Sequence, residues 1–352
     1  MPVNSALQLS IILPIYNVEP YVEKCIRSLE KQDIPKDVYE IICVNDGSPD
    51  NSQQIVEKLQ QEYSNIVLIN QKNKGVSMAR NVAIEKARGK YILFVDPDDA
   101  LQANCLGSLL DYAENGNYEV VYFGMTAVEM DGSTKALKYI EGLEVAMDGI
   151  KLYYKIRKSG SYKNNKGKTL DPDRSWAVLF QKKILIDNNL YYLPKVAYLE
   201  DGEFIARVLC LTKRGSIYNQ PYYLRLNRPG SATRSDLIKQ ERTIKGFILA
   251  AKNLIAFKDK HPLHADQKGL INGRVVKFVV LAVHATLNDI QKFRWVKKEL
   301  KKNNLTNIAL ENVDRYYTKL GKRYNSSLNW FYLSSNFDII KRSFKRRFLN
   351  IK

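Results

Sequence analysis

Histidine is scarce. The chain has three, His261, His264 and His284, all in its last third. Cysteine is nearly as rare: Cys25, Cys43, Cys105 and Cys210, no pair of which has metal-ligand spacing. A zinc site built on Cys or His is therefore not expected. Cys25 and Cys43 sit in apolar runs, as buried free thiols of a reducing compartment would. Gly-x-Ser-x-Gly and Walker-type phosphate loops are both missing. Long hydrophobic runs are missing too. The longest near-apolar stretch, Val275 to Leu287, is interrupted by Lys277 and His284 and is shorter than the ~20 residues a membrane span needs. Met1 is not followed by a basic segment and a long apolar one, so no signal peptide is expected. The expected location is cytoplasmic, soluble or peripheral on the inner face of the cell membrane.

What is present is ordinary globular composition, 45% hydrophobic and 26% charged over 352 residues, enough for a sizeable core. The net charge of +18 is concentrated at one end. From Asp236 onward 25 Lys and Arg face 9 Asp and Glu, an excess of 16, while the preceding residues carry 30 against 28. A basic region favours a polyanion, whether nucleic acid, an anionic membrane surface or a phosphorylated substrate, or else makes a charged helical surface. Two domains are expected, 1–235 and a basic helical region 236–352.

The first 125 residues alternate short apolar runs with helical patterns. Leu9 to Leu13, Glu40 to Val44, Ile66 to Ile69 and Tyr91 to Val95 read as strands. Tyr21, Val22, Cys25, Ile26 and Leu29 fall on one helical face, and Val76, Ala79, Ala83 and Ala87 give another helix closed by Gly89. A helix around Leu101 to Ala113 leads to a run at Glu119 to Phe123. This is βαβ patterning, hence α/β with a mostly parallel sheet flanked by helices. Ser175 to Ile186 and Tyr198 to Leu211 read as helical, and residues 126–170 as irregular.

Right-handed crossovers bring all the strand C-termini to one edge, where ligands of such sheets bind. Polar clusters follow each strand there: Pro14-Ile-Tyr-Asn17, Asn45-Asp46, Asn73-Lys-Gly75 and Asp96-Pro-Asp-Asp99. Asp96, Asp98 and Asp99 repel one another, and a divalent cation or proton uptake relieves this. Magnesium-type sites use one or two carboxylates plus substrate phosphates; a solvated acidic turn capping the next helix is the plainer alternative. Asp46, with Gly47 keeping its turn tight, can accept the imide N–H of a uracil-type base or cap a helix. Arg80 starts a helix near the expected diphosphate position, where Arg and helix N-termini both suit phosphates. Glu200-Asp201 precedes an apolar helical pattern and can cap it or supply a general base. Trp176 can cover an acceptor sugar or lie in the core.

Five blocks, Pro14-Ile-Tyr-Asn17, Val44-Asn-Asp-Gly-Ser48, Gly75 with Ala79-Arg-Asn81, Phe94-Val-Asp-Pro-Asp-Asp99 and Glu200-Asp201, resemble in order and spacing the family 2 glycosyltransferases of GT-A, Rossmann-like fold. The resemblance covers residues 8 to about 232 and not the basic tail. It implies an inverting transfer from a nucleotide-diphosphate sugar, UDP favoured, to a hydroxyl of a glycan or lipid-linked acceptor, in bacterial polysaccharide synthesis. Asp46 would bind the nucleobase in a pocket lined by Pro14 and Tyr16, with Asn17, Gly47, Asn73, Gly75 and Arg80 also on the donor. Asp96 would contact the ribose side, Asp98 with Asp96 would hold manganese or magnesium, and Asp99 would face the transferred sugar. Asp201 would be the base, with Glu200 beside it. Two departures stand out: Pro97 replaces a commoner Ser or Ala, and Arg228 stands where some relatives place a metal-binding His, a weaker acceptor or diphosphate contact. The alternatives are a nucleotidyltransferase of sugar phosphates and a non-enzymatic polyanion-binding protein. Nucleic acid is not an expected partner, and a homodimer is left open.

Overall fold

The computed structural model describes residues 7–137, 144–160, 172–227 and 236–337. Arg228 and the basic stretch Lys341 to Leu349 lie outside these residues. The chain divides into two compact units, one of residues 1–194 and 207–234, the other of residues 195–206 and 235–352.

The first unit opens with strands β1 (Leu9–Ile15), β2 (Tyr39–Asn45), β3 (Ile66–Asn70) and β4 (Tyr91–Phe94), interleaved with helices α1 (Glu19–Leu29), α2 (Ser52–Glu62) and α3 (Val76–Lys86). Every residue of β1, β2 and β4 is buried, as in parallel strands covered on both faces. They pair in parallel in the order β3-β2-β1-β4. Ile15, Asn45 and Asn70 stand in register, so three strands end on one line. Pro14 is tolerated in a central strand because β4 pairs with β1 only up to Ile12. By the alternation of the ladder, the N–H that Pro14 lacks would face the side where β4 has already ended.

Past β4 the sheet is mixed, which corrects the expectation of a mostly parallel one. The remaining elements are β5 (Ala100–Leu101), α4 (Leu106–Asn115), β6 (Val120–Glu129), β7 (Thr134–Leu137), α5 (Gly149–Gly160), β8 (Val178–Gln181), α6 (Lys182–Asp187), α7 (Glu200–Leu211), whose residues 200–206 fall in the second unit, and β9 (Gly215–Asn227). The full order is β3-β2-β1-β4-β8-β6-β9-β5, with β8 antiparallel to β4 and β6, and β9 parallel to β6.

Two local readings change. Ser175 to Ile186 is not one helix: Val178–Gln181 is a strand wedged between β4 and β6, and only Lys182–Asp187 is helical. A short apolar run looks alike in either state, and here sheet pairing decides. Gly89 does not close α3, which ends at Lys86 with Ala87 as its cap. It is needed because a Cβ there would meet the β1 backbone, Leu9 C and Ser10 N, at 2.5 Å. Residues 126–170, read as irregular, contain the end of β6, all of β7 and α5.

The second unit is helical over its described residues, as the basic tail pattern implied: α8 (Glu241–Lys260), α9 (Ala265–His284), α10 (Ile290–Lys302), α11 (Arg315–Ser326) and helical residues 328–337. The apolar Val275 to Leu287 stretch is explained by burial, since Val275, Val276, Phe278, Val279, Ala282 and Val283 all face the core of this unit. Among the described residues no helix is long and apolar enough to cross a membrane. The three histidines serve helix ends. His264 caps α9 in a reciprocal box with Gln267, His261 bonds the Phe257 carbonyl, and His284 stacks on Phe331.

Candidate active site

The aligned ends of β1, β2 and β3 are tied by side chains. Asn45 donates to Gln53 and Asn70 at 2.9 Å and accepts from the Ser48 backbone at 3.0 Å. Asn17, in a left-handed conformation (φ 53°), gives its N–H to Ser48 Oγ at 2.7 Å. The Ser48 hydroxyl donates to Asp50 at 2.5 Å, and Asp50 also takes the Glu19 N–H at 2.8 Å. The loop after β1, with Tyr16 half exposed, is thus pinned to the turn after β2.

Burial raises the Asp50 carboxyl, but hydrogen bonds from Ser48, Ser52 and the Glu19 and Ser52 backbone outweigh it and bring the pKa to about 2. The folded value lies below the unfolded one, so the unfolded chain takes up the proton first and the contribution is lost as pH falls from about 4 to about 2. Solvent screening holds it below about 1 kcal/mol. Thermal melts of Asp50→Asn are expected to show a shallower decline than wild type across that window.

Asp46 is 3% exposed and is already engaged. It accepts from Gln71 Nε2 at 2.6 Å, from the Lys74 N–H at 2.8 Å and from the Gly75 N–H at 2.7 Å. Its carboxylate holds the segment after β3 against the end of β2. Two glycines make this approach feasible. Gly47 has φ +67° and a Cβ there would lie 3.0 Å from Asn73 N, while Gly75, the α3 N-cap, has φ +88°. Asn73 and the two flanking lysines, Lys72 and Lys74, are exposed.

The acidic turn after β4 has a division of labour that spacing alone did not show. Asp99 is turned inward, 7% exposed, and accepts from Tyr223 Oη at 2.8 Å and from the Leu226 N–H at 2.8 Å. Burial, then the Asp96 and Asp98 charges, push its pKa well up. Asp96 and Asp98 are only partly buried. Asp96 pairs with Arg80 at 3.1 Å, and that guanidinium also lies 5.0 Å from the Tyr192 ring centroid. Arg80 is therefore no surface residue: it is 3% exposed, in the body of α3, aimed at the turn. Neighbouring Asn81 clamps the Tyr192 backbone with two bonds, 2.8 and 2.7 Å.

Tyr223 is the residue sequence reasoning missed. Its hydroxyl donates to Asp99 and accepts the Asp96 N–H at 3.1 Å, so it holds both ends of the turn. Trp176, bridged to Phe94 at the end of β4, packs on Tyr223 with ring centroids 5.0 Å apart, and the Arg174 and Arg225 cations lie 4.5 and 5.4 Å from the indole. The period of two in β9 puts Tyr223 and Arg225 on one face, and that alternation was the available signal. Tyr223→Phe leaves two buried polar partners unmet, costing about 1–3 kcal/mol. A melting-temperature fall of about 2–12 °C is expected, read by calorimetry.

Pro14, Tyr16, Asn17, Asp46, Gly47, Asn73, Gly75, Arg80, Asp96, Asp98, Asp99 and Trp176 thus belong to the first unit: Pro14 in β1, Trp176 just before β8, Arg80 in the body of α3, and the others on the segments that follow β1, β2, β3 and β4. Glu200 and Asp201 belong to the second unit, where they open α7 with half-buried side chains. One turn on, Glu203 is fully buried and accepts from Asn253 Nδ2 at 2.7 Å. An open groove of about 530 Å³ runs along α1, with Lys24, Arg27 and Lys31 on its wall and Leu101 and Leu224 beneath, and includes none of the expected site residues. Among the described residues no three His, Cys, Asp or Glu side chains form a ready metal cage.

EpsJ of Bacillus subtilis, described as an uncharacterized glycosyltransferase, is 32% identical over 224 residues, 64% of this chain and 62% of EpsJ. The poly(ribitol-phosphate) beta-N-acetylglucosaminyltransferase TarS of Staphylococcus aureus is 26% identical over 263 residues, 74% of this chain. The chain spans only 43% of TarS, so both relatives are longer than the matched region by more than a third. A crystal structure of S. aureus TarS in complex with UDP-GlcNAc superposes with a TM-score of 0.61 at 20% identity, covering 91% of this chain and 92% of that one. At that identity the likeness establishes the GT-A fold. The model of the Glycosyl transferase family 2 domain matches residues 10–185, half of the chain and inclusive of the acidic turn. This chain belongs to glycosyl transferase family 2.

Proposed function

We propose that the chain is an inverting glycosyltransferase that moves a sugar from a UDP-sugar to a hydroxyl of a glycan or lipid-linked acceptor. One observation carries this reading: a buried carboxylate (Asp46) follows β2, and an Arg-held one (Asp96) and a partly exposed one (Asp98) follow β4, at the ends of the parallel strands, where α/β folds take nucleotides. The TarS complex with UDP-GlcNAc supports the choice of donor.

The residue roles follow from the contacts. Three of the roughly four acceptor positions of Asp46 are filled, which leaves one for a uracil imide N–H and makes Asp46 the organiser of the pocket as well as a ligand. Pro14, Tyr16, Asn17, Gly47, Asn73 and Gly75 form its walls. The donor set fits magnesium or manganese: such ions take one or two carboxylates and leave positions for water and substrate phosphates, and Asp98 with Asp96 supplies that number. The ion, when bound, would stabilise the charge that develops on the departing diphosphate. Asp99, 7% exposed and with a hydrogen bond on each oxygen, acts through the turn it holds and not on the sugar directly. Arg80 fixes Asp96. Trp176 offers an aromatic face to the acceptor, and Arg225 stands beside it.

Asp201 is the proposed base, with Glu200 alongside. The acceptor oxygen attacks the anomeric carbon, its proton passes to the Asp201 carboxylate, and the bond from that carbon to the diphosphate oxygen breaks with both electrons leaving on the nucleoside diphosphate. The site of work proposed is the inner face of the cell membrane, reached peripherally; the basic 236–352 region supports it. Incubation with UDP-sugar, manganese and a polymer acceptor is expected to release UDP. Release of pyrophosphate from a nucleoside triphosphate and a sugar phosphate would instead identify a nucleotidyltransferase.

A further inference from the structure

Helical residues 328–337 are apolar on two sides. One side is in the core: Leu328, Phe331, Tyr332 and Ser335 are less than 9% exposed, with Phe331 stacked on His284 and Tyr332 on Phe293 at a centroid distance of 4.0 Å. The other side carries Trp330, Leu333 and Phe337, which are 64%, 58% and 65% exposed. Their i, i+3, i+7 spacing makes one stripe along the helix. Three large apolar side chains in water on a helix already held by its opposite face need a reason.

Charge selects the partner. Lys297 reaches Asn329 at 3.1 Å and Arg323 reaches Ser334 at 2.9 Å, so cations border the stripe. Residues 236–337 carry 19 Lys and Arg against 8 Asp and Glu. The sequence that follows adds six further Lys or Arg and one Asp. A second copy of the chain is a poor occupant: it would bring like charge against like charge. The stripe is also smaller than the ~800 Å² per partner of a standard interface. A bilayer face suits both features, because Trp, Leu and Phe enter the headgroup boundary while Lys and Arg meet anionic headgroups.

We infer that Trp330, Leu333 and Phe337 form an insertion stripe by which this chain docks on an anionic phospholipid surface. The inference names the contact for the peripheral location proposed above. It is tested without donor or acceptor, so its failure is separable from failure of the transferase reading. The full chain is sedimented with vesicles of phosphatidylcholine containing about a third phosphatidylglycerol, and with pure phosphatidylcholine. Wild type is expected to bind the anionic vesicles, and W330S/L333S/F337S to bind at least tenfold more weakly with an unchanged melting temperature. If the triple variant melts lower, W330S alone is compared. Equal binding by variant and wild type, no binding by wild type, or equal binding to both vesicle types overturns the inference. So does a wild-type dimer in light scattering that becomes a monomer in the variant.

Discussion

Asp201→Asn is expected to lower turnover by about 10²–10⁴-fold while UDP binding stays within about twofold of wild type. The substitution keeps shape and removes the ability to take a proton from the acceptor hydroxyl. It also separates the two roles open to a carboxylate at the start of α7. Asp201 lies in the first turn of α7, where a carboxylate favours the helix dipole by about 0.3–1 kcal/mol, so a residue with only that role would lose a little stability and keep its rate. Collapse of transfer with a nearly unchanged melting temperature and unchanged calorimetric titration of UDP identifies the base. Near-normal transfer places the base elsewhere.

Asp98→Ala is expected to abolish the manganese dependence of UDP binding and to reduce kcat/KM by about 10³-fold, near 4 kcal/mol of lost transition-state stabilisation. Metal-free UDP affinity should match wild type, because the proposed nucleobase end of the site rests on Asp46 and its loop partners Gln71, Lys74 and Gly75. Asp98 is chosen over its neighbours because Asp96 also anchors Arg80 and Asp99 is held by Tyr223 and Leu226, so that changing either would disturb the turn as well. Calorimetric titration with and without manganese reads the result. Retention of full metal dependence in the variant would mean that Asp98 is not a ligand.

The first half of the fold was legible because β1, β2 and β4 are short apolar runs buried on both faces and the helices between them carry a periodic apolar face. Later elements were less so. Val178–Gln181 carries the same apolar residues a buried helix would, and only its place between β4 and β6 makes it a strand. Gly89 looked like a helix stop and proved to be a point of backbone contact with β1, a relation between residues 79 positions apart that no local pattern encodes.

The candidate site shows the same split. Motif order marked Asp46, Asp96, Asp98 and Asp99, since polar residues at strand ends are visible in one dimension. It did not rank them. Which carboxylate points inward depends on Tyr223 and Leu226, more than 120 residues away. Which one meets Arg80 depends on α3 lying beside the turn. The sequence alone determined the α/β class, the strand-end edge that bears the carboxylates and the basic helical tail, because each is a matter of residue type and period. The tertiary structure alone decided that Asp99 is a strut, that Arg80 is buried, that Tyr223 holds the turn and that Trp330, Leu333 and Phe337 face water. Burial and hydrogen-bond partnership are properties of what the rest of the chain places alongside a residue, and they arise only when distant segments meet.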